Sequence, residues 1–114
     1  MKTPSILLIY TGGTIGMVED TDSKALRPFD FESIENQVPE LNKIGVDITT
    51  ISFENPIDSS NMNIESWKNL VIIIKDNYSD YDGFVVLHGS DTMSYTASAL
   101  SFMLKGLNKP VILT

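Results

Sequence analysis

Hydroxyl side chains recur in three short stretches of the sequence, each following a predicted strand. All are serines or threonines in polar segments, namely Thr11, Thr14, Ser59, Ser60, Ser90 and Thr92. The last stretch also carries a carboxylate, Asp91, between its two hydroxyls. A serine or threonine hydroxyl becomes a nucleophile when a neighbouring group takes its proton. The three stretches together favour covalent chemistry at a hydroxyl, whereas each alone is also compatible with an ordinary loop.

The first hydroxyl stretch has the clearest local context. Residues 6–9 form an uninterrupted apolar run, which is typical of a strand buried on both faces, and Gly12 and Gly13 follow closely. Glycines permit backbone angles that other residues resist, and they let a ligand approach the main chain. Thr14 is therefore the candidate nucleophile, with a plain tight turn as the alternative. The pattern GGTIG lacks the spacing of a dinucleotide-binding or phosphate-binding loop.

The composition argues against several classes of partner. The 114 residues suit one domain, and nucleic acid and anionic membranes select basic surfaces, which a net charge of −7 does not provide. Cysteine is absent and histidine occurs once, so we expect neither a disulfide framework nor a metal site. The N-terminal apolar run is too short for a signal peptide, and no segment approaches the roughly 20 apolar residues of a membrane span. An intracellular protein without a cofactor is expected.

The order of apolar patterns predicts an α/β fold with a parallel sheet. Strands are expected at residues 6–9, 45–53, 84–87 and 109–114, the second of them near a sheet edge. The intervening helices begin near Asp30, at a cap on Asn63, and at Met93. Parallel strands with right-handed crossovers place all their carboxyl ends at one edge, where open α/β sheets bind ligands. The three hydroxyl stretches should therefore meet there.

The last two predicted helices each have an apolar face that should pack on the sheet. In the first, that face comprises residues at helical spacing: Ile64, Trp67, Leu70, Val71 and Ile74. In the second, it comprises three aliphatic residues and two that widen the stripe: Ala97, Leu100, Leu104, Phe102 and Met103. Lys105 and Gly106 would complete the second helix as a favourable charge and an αL cap. Residues 17–28 are predicted as a mobile lid, a solvated loop or a short hairpin.

Taken together, the three stretches resemble the signature loops of bacterial type I L-asparaginases. The matching motifs are YTGGTIG at 10–16, DSSNM at 58–62, HGSDTM at 88–93, YTASALSFML at 95–104 and KPVI at 109–112. The resemblance implies a Rossmann-like three-layer domain in a cytoplasmic homo-oligomer, a dimer or tetramer, that acts on L-asparagine. Residues 1–114 would be the N-terminal part of the catalytic domain. The sequence also ends on a predicted strand, and the edge strands of a sheet are normally covered. The missing cover is therefore expected from a longer protein or from another chain.

The resemblance assigns catalytic roles to three residues. Thr14 would attack the side-chain amide of asparagine, release ammonia and form a β-aspartyl ester. Ser90, together with Asp91 and a lysine, would help to activate the water that hydrolyses this ester. Main-chain N–H groups around Ser90 would stabilise the oxyanion.

Substrate binding is implied for residues of the same loops. Asp91 would hold the substrate ammonium, and Ser59 would bind the α-carboxylate with Ser60 close by. Gly13 and Gly89 would complete the binding loops. A zwitterionic amino acid needs a carboxylate at one end and neutral donors at the other, which fits these residue types.

The sequence departs from the family pattern at three points. The family usually has threonine at the position of Ser90, so this hydroxyl lacks the methyl group that restricts its rotamer. Many members carry a lid tyrosine that orients the nucleophile, whereas residues 17–28 contain none. Thr21, Ser23 or a group outside the chain would replace it. The catalytic lysine belongs to a segment that this sequence does not contain, because Lys105 and Lys109 would lie at the far end of the sheet.

His88 is expected to be a packed residue with a satisfied hydrogen bond. General-base duty is the alternative, but no carboxylate–histidine–nucleophile order supports it. Two further functions stay open beside asparagine hydrolysis. One is the asparaginase-like subunit of a tRNA-dependent amidotransferase, which normally carries a further domain ahead of the TGGT loop. The other is a non-catalytic amino-acid-binding module, against which the two opposed hydroxyls argue.

Overall fold

Six strands and two α-helices form within residues 2–13, 17–28 and 38–114, which are the parts that the computed structural model describes. The strands are β1 (Ser5–Tyr10), β2 (Met17–Glu19), β3 (Leu26–Pro28), β4 (Asp47–Ser52), β5 (Gly83–Leu87) and β6 (Val111–Leu113). The helices are α1 (Ile64–Asn77) and α2 (Met93–Met103), and short 3₁₀ helices span Pro39–Lys43 and Ser59–Asn61. The helix predicted from Asp30 lies outside the described residues.

The central sheet is parallel and has the strand order β4-β1-β5-β6. In its register, Ile6 of β1 lies beside Ile48 of β4 and Gly83 of β5. The chain passes from β1 to β4 on one side, crosses back to β5 on the other side of β1 and continues outward to β6, so the winding reverses between β1 and β5. The predicted parallel α/β fold is confirmed, and β4 is an edge strand of this sheet as expected.

One face of the sheet packs against both helices. The core on this face consists of almost fully buried side chains from β1, β5, α1 and α2: Leu7, Ile9, Phe84, Val86, Leu70, Ile74 and Leu100. Leu8 and Tyr10 project to the opposite face and form a second, smaller cluster with partly buried side chains such as Val85. β1 is therefore buried on both faces, which explains its uninterrupted apolar run.

Helix α1 begins where the sequence predicts. Asn63 is its N-cap, and the Oδ1 atom of Asn63 accepts a hydrogen bond from the Ser66 main-chain N–H at 3.0 Å. Leu70 and Ile74 reach the core as predicted. Ile64 does not, because it is the first residue of the helix, ahead of the turns that meet the sheet, and it is 61% exposed.

Helix α2 has a narrower buried face than predicted. Thr96 and Leu100 are buried, and Leu104 packs against the core just after the helix ends. Phe102, predicted to widen the stripe, is 76% exposed because two residues beyond Leu100 correspond to roughly 200° around the helix. Met103 and Ala97 are also exposed. The helix ends at Met103 with Leu104 as its C-cap, so Gly106 has the predicted αL conformation but lies beyond the helix and does not cap it.

Residues 17–28 contain an antiparallel hairpin of β2 and β3, one of the three structures considered for this stretch. Asp20 organises its tip, where its Oδ1 atom accepts hydrogen bonds from the main-chain N–H and the hydroxyl of Ser23. The Ser23 hydroxyl is therefore engaged inside the turn. No helix in the described parts of the chain is long and apolar enough to cross a membrane.

Candidate active site

A cavity of about 440 Å³ opens at the carboxyl ends of β1, β5 and β6. Its lining combines residues from the glycine turn after β1, the loop after β4, the loop after β5 and the end of the chain: Gly13, Asp58, Ser59, His88, Gly89, Ser90, Asp91, Met93 and Thr114. The three hydroxyl stretches of the sequence thus contribute to one site. The site lies where the winding of the sheet reverses, which is the usual ligand position in such folds.

Gly12 fixes the turn after β1 against the loop after β4. Its φ is +121°, and a Cβ atom there would lie 2.4 Å from the main-chain nitrogen of Ile57. The Ile57 N–H donates a hydrogen bond of 2.8 Å to the Thr11 carbonyl. Only glycine allows both this φ and this close approach of two backbones.

The next residue, Gly13, lines the cavity and has its carbonyl held by a buried tyrosine. The Tyr10 hydroxyl donates to the Gly13 carbonyl oxygen at 2.9 Å, and burial raises the pKa of Tyr10 above its usual range. Thr11, by contrast, is fully buried, and its hydroxyl donates to the Leu87 carbonyl at 3.1 Å. Thr11 therefore ties β1 to β5. Thr14, the predicted nucleophile, lies outside the described residues and follows Gly13 directly in the sequence.

Asp58 and Ser59, in the loop after β4, form one wall of the cavity. The Asp58 carboxylate caps the short 3₁₀ helix, with its Oδ1 atom accepting from the Ser60 main-chain N–H at 2.9 Å and from the Ser60 hydroxyl at 2.8 Å. These hydrogen bonds, the main-chain one first, lower the pKa of Asp58. Ser59 is almost fully buried beneath Gly89, where an added Cβ would lie 3.0 Å from the Ser59 Oγ atom. Gly89 therefore lets the loops after β4 and β5 touch.

The loop after β5 carries the remaining polar groups. The main-chain N–H groups of His88 and Gly89 donate to the Thr114 carbonyl at 2.8 and 3.1 Å. The Thr92 hydroxyl donates to the Ser59 carbonyl at 2.5 Å. Ser90 and Asp91 are exposed and line the cavity. The Ser90 main-chain N–H has no hydrogen-bond partner among the described residues, so it is available to a ligand.

His88 is a fully buried residue with both ring nitrogens in hydrogen bonds. Its Nδ1 atom lies 2.9 Å from the Gly89 carbonyl oxygen, and its Nε2 atom lies 2.7 Å from the Thr96 hydroxyl. The expectation of a packed histidine is confirmed. Among the described residues, no group of three or more histidine, aspartate or glutamate side chains could hold a metal ion.

Residues 5–114 match the family model described as asparaginase, N-terminal. The chain belongs to the asparaginase family. It is 46% identical over 115 residues to L-asparaginase 1 of Escherichia coli, a match that covers all of this chain and 34% of that protein. It is 38% identical to a glutamyl-tRNA(Gln) amidotransferase subunit of Methanopyrus kandleri, over 98% of this chain and 25% of that protein.

The fold matches solved asparaginase structures as well. L-asparaginase I from Vibrio cholerae superposes with a TM-score of 0.79 at 40% identity, over 98% of this chain and 34% of that chain. This identity and coverage confirm the resemblance drawn from the three motifs. The chain spans about a third of the length of the asparaginases that it matches.

The asparaginase signature residues are only partly brought together in the cavity. Ser59, Ser90 and Asp91 line it, whereas Ser60 does not, and the Ser60 hydroxyl is bound to Asp58. Asp58 had no predicted role, although an aspartate two residues before a serine is the signal of an Asx turn. Thr114 was also missed, because it acts through its main-chain carbonyl and leaves no sequence signal.

The structure places no lysine on the cavity wall within the described residues. Lys109 donates to the Tyr78 carbonyl, and its Nζ atom lies 4.8 Å from the centre of the Tyr78 ring. Lys109 lies just before the start of β6, at the opposite end of the sheet from the cavity. Lys109 therefore lies at the far end of the sheet, as the sequence predicted.

Proposed function

We propose that the protein containing this chain is an L-asparagine amidohydrolase with Thr14 as its nucleophile. The main support for this proposal is the shared cavity at the carboxyl edge of the sheet, which is lined by Gly13, Ser59, Ser90 and Asp91. Thr14 is the residue after Gly13, so the turn shaped by Gly12 leads directly to the proposed nucleophile. Membership of the asparaginase family supports the same activity.

The cavity offers groups that suit both charges of asparagine. Asp91 provides a carboxylate for the ammonium group, whereas the Asp58 carboxylate is engaged in capping the wall that carries Ser59. Ser59 contributes the neutral donor that a substrate carboxylate requires. We assign the ammonium group to the Asp91 side and the α-carboxylate to Ser59, with Ser60 supporting this wall through Asp58.

The reaction proceeds in two steps in this proposal. The Thr14 hydroxyl oxygen bonds to the side-chain carbonyl carbon of asparagine, the carbon–nitrogen bond breaks, and ammonia leaves with the hydroxyl proton. Water then attacks the resulting ester, and Ser90 and Asp91 assist, together with a lysine from outside this sequence. Aspartate departs and the Thr14 hydroxyl is restored. The free Ser90 N–H is the candidate donor to the oxyanion of each step.

The family resemblance supports a cytoplasmic homo-oligomer, a dimer or tetramer, that needs no cofactor. A second candidate function is the ammonia-producing subunit of a tRNA-dependent amidotransferase. The identity of 38% to the amidotransferase subunit of Methanopyrus kandleri favours keeping it. The two functions differ in substrate, since an asparaginase releases ammonia from free asparagine without tRNA.

The test is ammonia release by the complete protein, measured with asparagine, with glutamine and without substrate. We expect turnover of asparagine in the absence of tRNA. Thr14→Ala should reduce it about 10⁴-fold or more with nearly unchanged thermal stability, and Thr14→Ser should retain part of it. Thr11→Val is the matched control, because the buried Thr11 hydroxyl only joins β1 to β5. It should lower Tm and keep most of the turnover.

Substantial activity in Thr14→Ala would remove Thr14 from the nucleophile role. Ammonia release that requires glutamine and tRNA would instead support the amidotransferase function.

A further inference from the structure

A chain of three buried or half-buried polar side chains connects both helices to the loop after β5. The indole N–H of Trp67, in α1, donates to the Thr96 Oγ1 atom at 2.9 Å. Thr96, in α2, lies 2.7 Å from the Nε2 atom of His88, whose Nδ1 atom lies 2.9 Å from the Gly89 carbonyl oxygen. His88 and Thr96 are fully buried. This chain of contacts ends on the peptide that joins Gly89 to Ser90.

The partners of these groups determine which atoms carry hydrogen. The Gly89 carbonyl can only accept, so the Nδ1 atom of His88 must donate to it. The Thr96 oxygen accepts from Trp67, and its own hydrogen can then be donated to the Nε2 atom of His88. A neutral imidazole with its hydrogen on Nδ1 therefore satisfies every member of the chain. No buried side-chain nitrogen or oxygen in the described residues lacks a partner.

Holding the Gly89 carbonyl also sets the direction of the next N–H group. The described peptide bonds are trans, and in a trans peptide the C=O and the following N–H point in opposite directions. The Gly89 carbonyl is directed at a fully buried ring, so the Ser90 N–H is directed away from the interior. The two preceding N–H groups, of His88 and Gly89, are already bound to the Thr114 carbonyl.

We propose that His88 is a positioning residue that aims the Ser90 N–H into the cavity. Through the Gly89 carbonyl, it holds this donor ready for the side-chain amide oxygen of the substrate and for the oxyanion that forms from it. The proposal rests on the proposed amidohydrolase function. It gives His88 a role beyond packing and without proton transfer, because both ring nitrogens are already in hydrogen bonds with groups of the protein.

Two amide substitutions separate the two ends of the imidazole. His88→Asn places an amide nitrogen the same number of bonds from Cα as Nδ1, so it keeps the donor to Gly89 and loses the contact with Thr96. His88→Gln places its terminal atoms at the position of Nε2, so it keeps Thr96 and loses Gly89. His88→Gln also fills the buried site better, because its side chain is longer by one methylene.

The proposal predicts opposite orders for activity and stability in the complete protein. The kcat of His88→Asn should exceed that of His88→Gln by about tenfold, because a full oxyanion donor is typically worth 10²–10³ in kcat and here it is only misdirected. The KM values should agree within a few-fold, and Tm should be higher for His88→Gln. A kcat that follows Tm, with His88→Gln equal to or above His88→Asn, would show that His88 acts only in packing.

A spectroscopic measurement tests the same inference without turnover. Nitrogen-15 NMR of histidine-labelled parent protein, assigned against His88→Asn, reports which ring nitrogen of His88 carries hydrogen. The proposal requires the Nδ1–H form, and the Nε2–H form would overturn it. Absence of asparagine turnover in the parent would reject the proposed function, whereas the His88 tautomer would still decide the placement of the Ser90 peptide.

Discussion

The two ends of the β1–β5 pair are built from the same strands but differ in what they leave unsatisfied. At the amino end, Asp82 accepts from the Ser5 main-chain N–H at 2.8 Å and donates its own N–H to the Ser5 carbonyl at 2.7 Å. At the carboxyl end, a positive-φ turn and a buried histidine hold the loops, and the Ser90 N–H is left without a partner among the described residues. The Ser5 and Asp82 groups at the amino end are therefore bonded to each other, whereas the carboxyl end presents a free main-chain donor, the Ser90 N–H, in the part of the chain that the structure describes.

The difference between the two ends explains why ligand-binding groups gather at one edge of the sheet. Strand pairing is the same along its length, and both ends carry an aspartate whose pKa is lowered, above all by a main-chain N–H of a serine. Asp82 joins the starts of β1 and β5 by a hydrogen bond, whereas Asp58 caps the short 3₁₀ helix beside the cavity. Among the described glycines, Gly12, at the carboxyl end, is the one at which an added Cβ atom would lie less than 3 Å from a neighbouring backbone.

The largest difference between the two ends is expected in stability when one glycine at each end is replaced by alanine. Gly12→Ala forces a Cβ against the backbone of Ile57 at a φ of +121°, so we expect a loss of about 3 kcal/mol or more, or no folded protein. Gly45, before β4 at the amino end, has a φ of +70° and nothing within 4 Å. Gly45→Ala should cost only about 1–2 kcal/mol. Chemical denaturation of the complete protein measures both, and equal losses would contradict the close-approach role of Gly12.

A smaller effect is expected on ligand affinity. Asp91→Asn removes the charge assigned to the substrate ammonium, and losing a charge-assisted hydrogen bond costs about 1.5–3 kcal/mol, or about 10- to 100-fold in Kd. Asp82→Asn, at the other end, should leave the affinity unchanged. Calorimetry with asparagine measures Kd, and all variants carry Thr14→Ala so that no turnover occurs during the titration. An unchanged Kd in the Asp91 variant would show that the ammonium group binds elsewhere.

The smallest effect concerns pH. The folded-state pKa of Asp82 lies below its ordinary value, so its contribution to stability is present above the unfolded pKa of about 3.9 and is lost as pH falls through the folded pKa. Asp82→Asn should therefore lower Tm slightly at pH 7, and this difference in Tm should shrink as pH falls below about 3.9. A Tm difference that stays constant over this range would mean that Asp82 acts through packing.

The sequence was sufficient for the sheet and for most of the site because both depend on strong local signals. Uninterrupted apolar runs identified β1 and β5, and parallel order required their carboxyl ends to meet. It was insufficient where tertiary contacts decide. Nothing local to His88 shows that it reaches Thr96 on the following helix. The outward position of Phe102, by contrast, follows from its helical spacing to Leu100, which the wide predicted stripe disregarded. The hydrogen bonds of main-chain groups, such as the Thr114 carbonyl, leave no trace in residue types.

The central claim is that asparagine is hydrolysed at the carboxyl edge through an ester on Thr14. Its most direct test uses Ser90→Ala, which should slow hydrolysis of the ester if the proposed assistance of Ser90 to the attacking water is correct. After acid quench with asparagine, mass spectrometry of the digested protein should find an aspartyl adduct on the peptide containing Thr14, and Thr14→Ala should show none. Ammonia release accompanied by an adduct on another peptide would contradict the account.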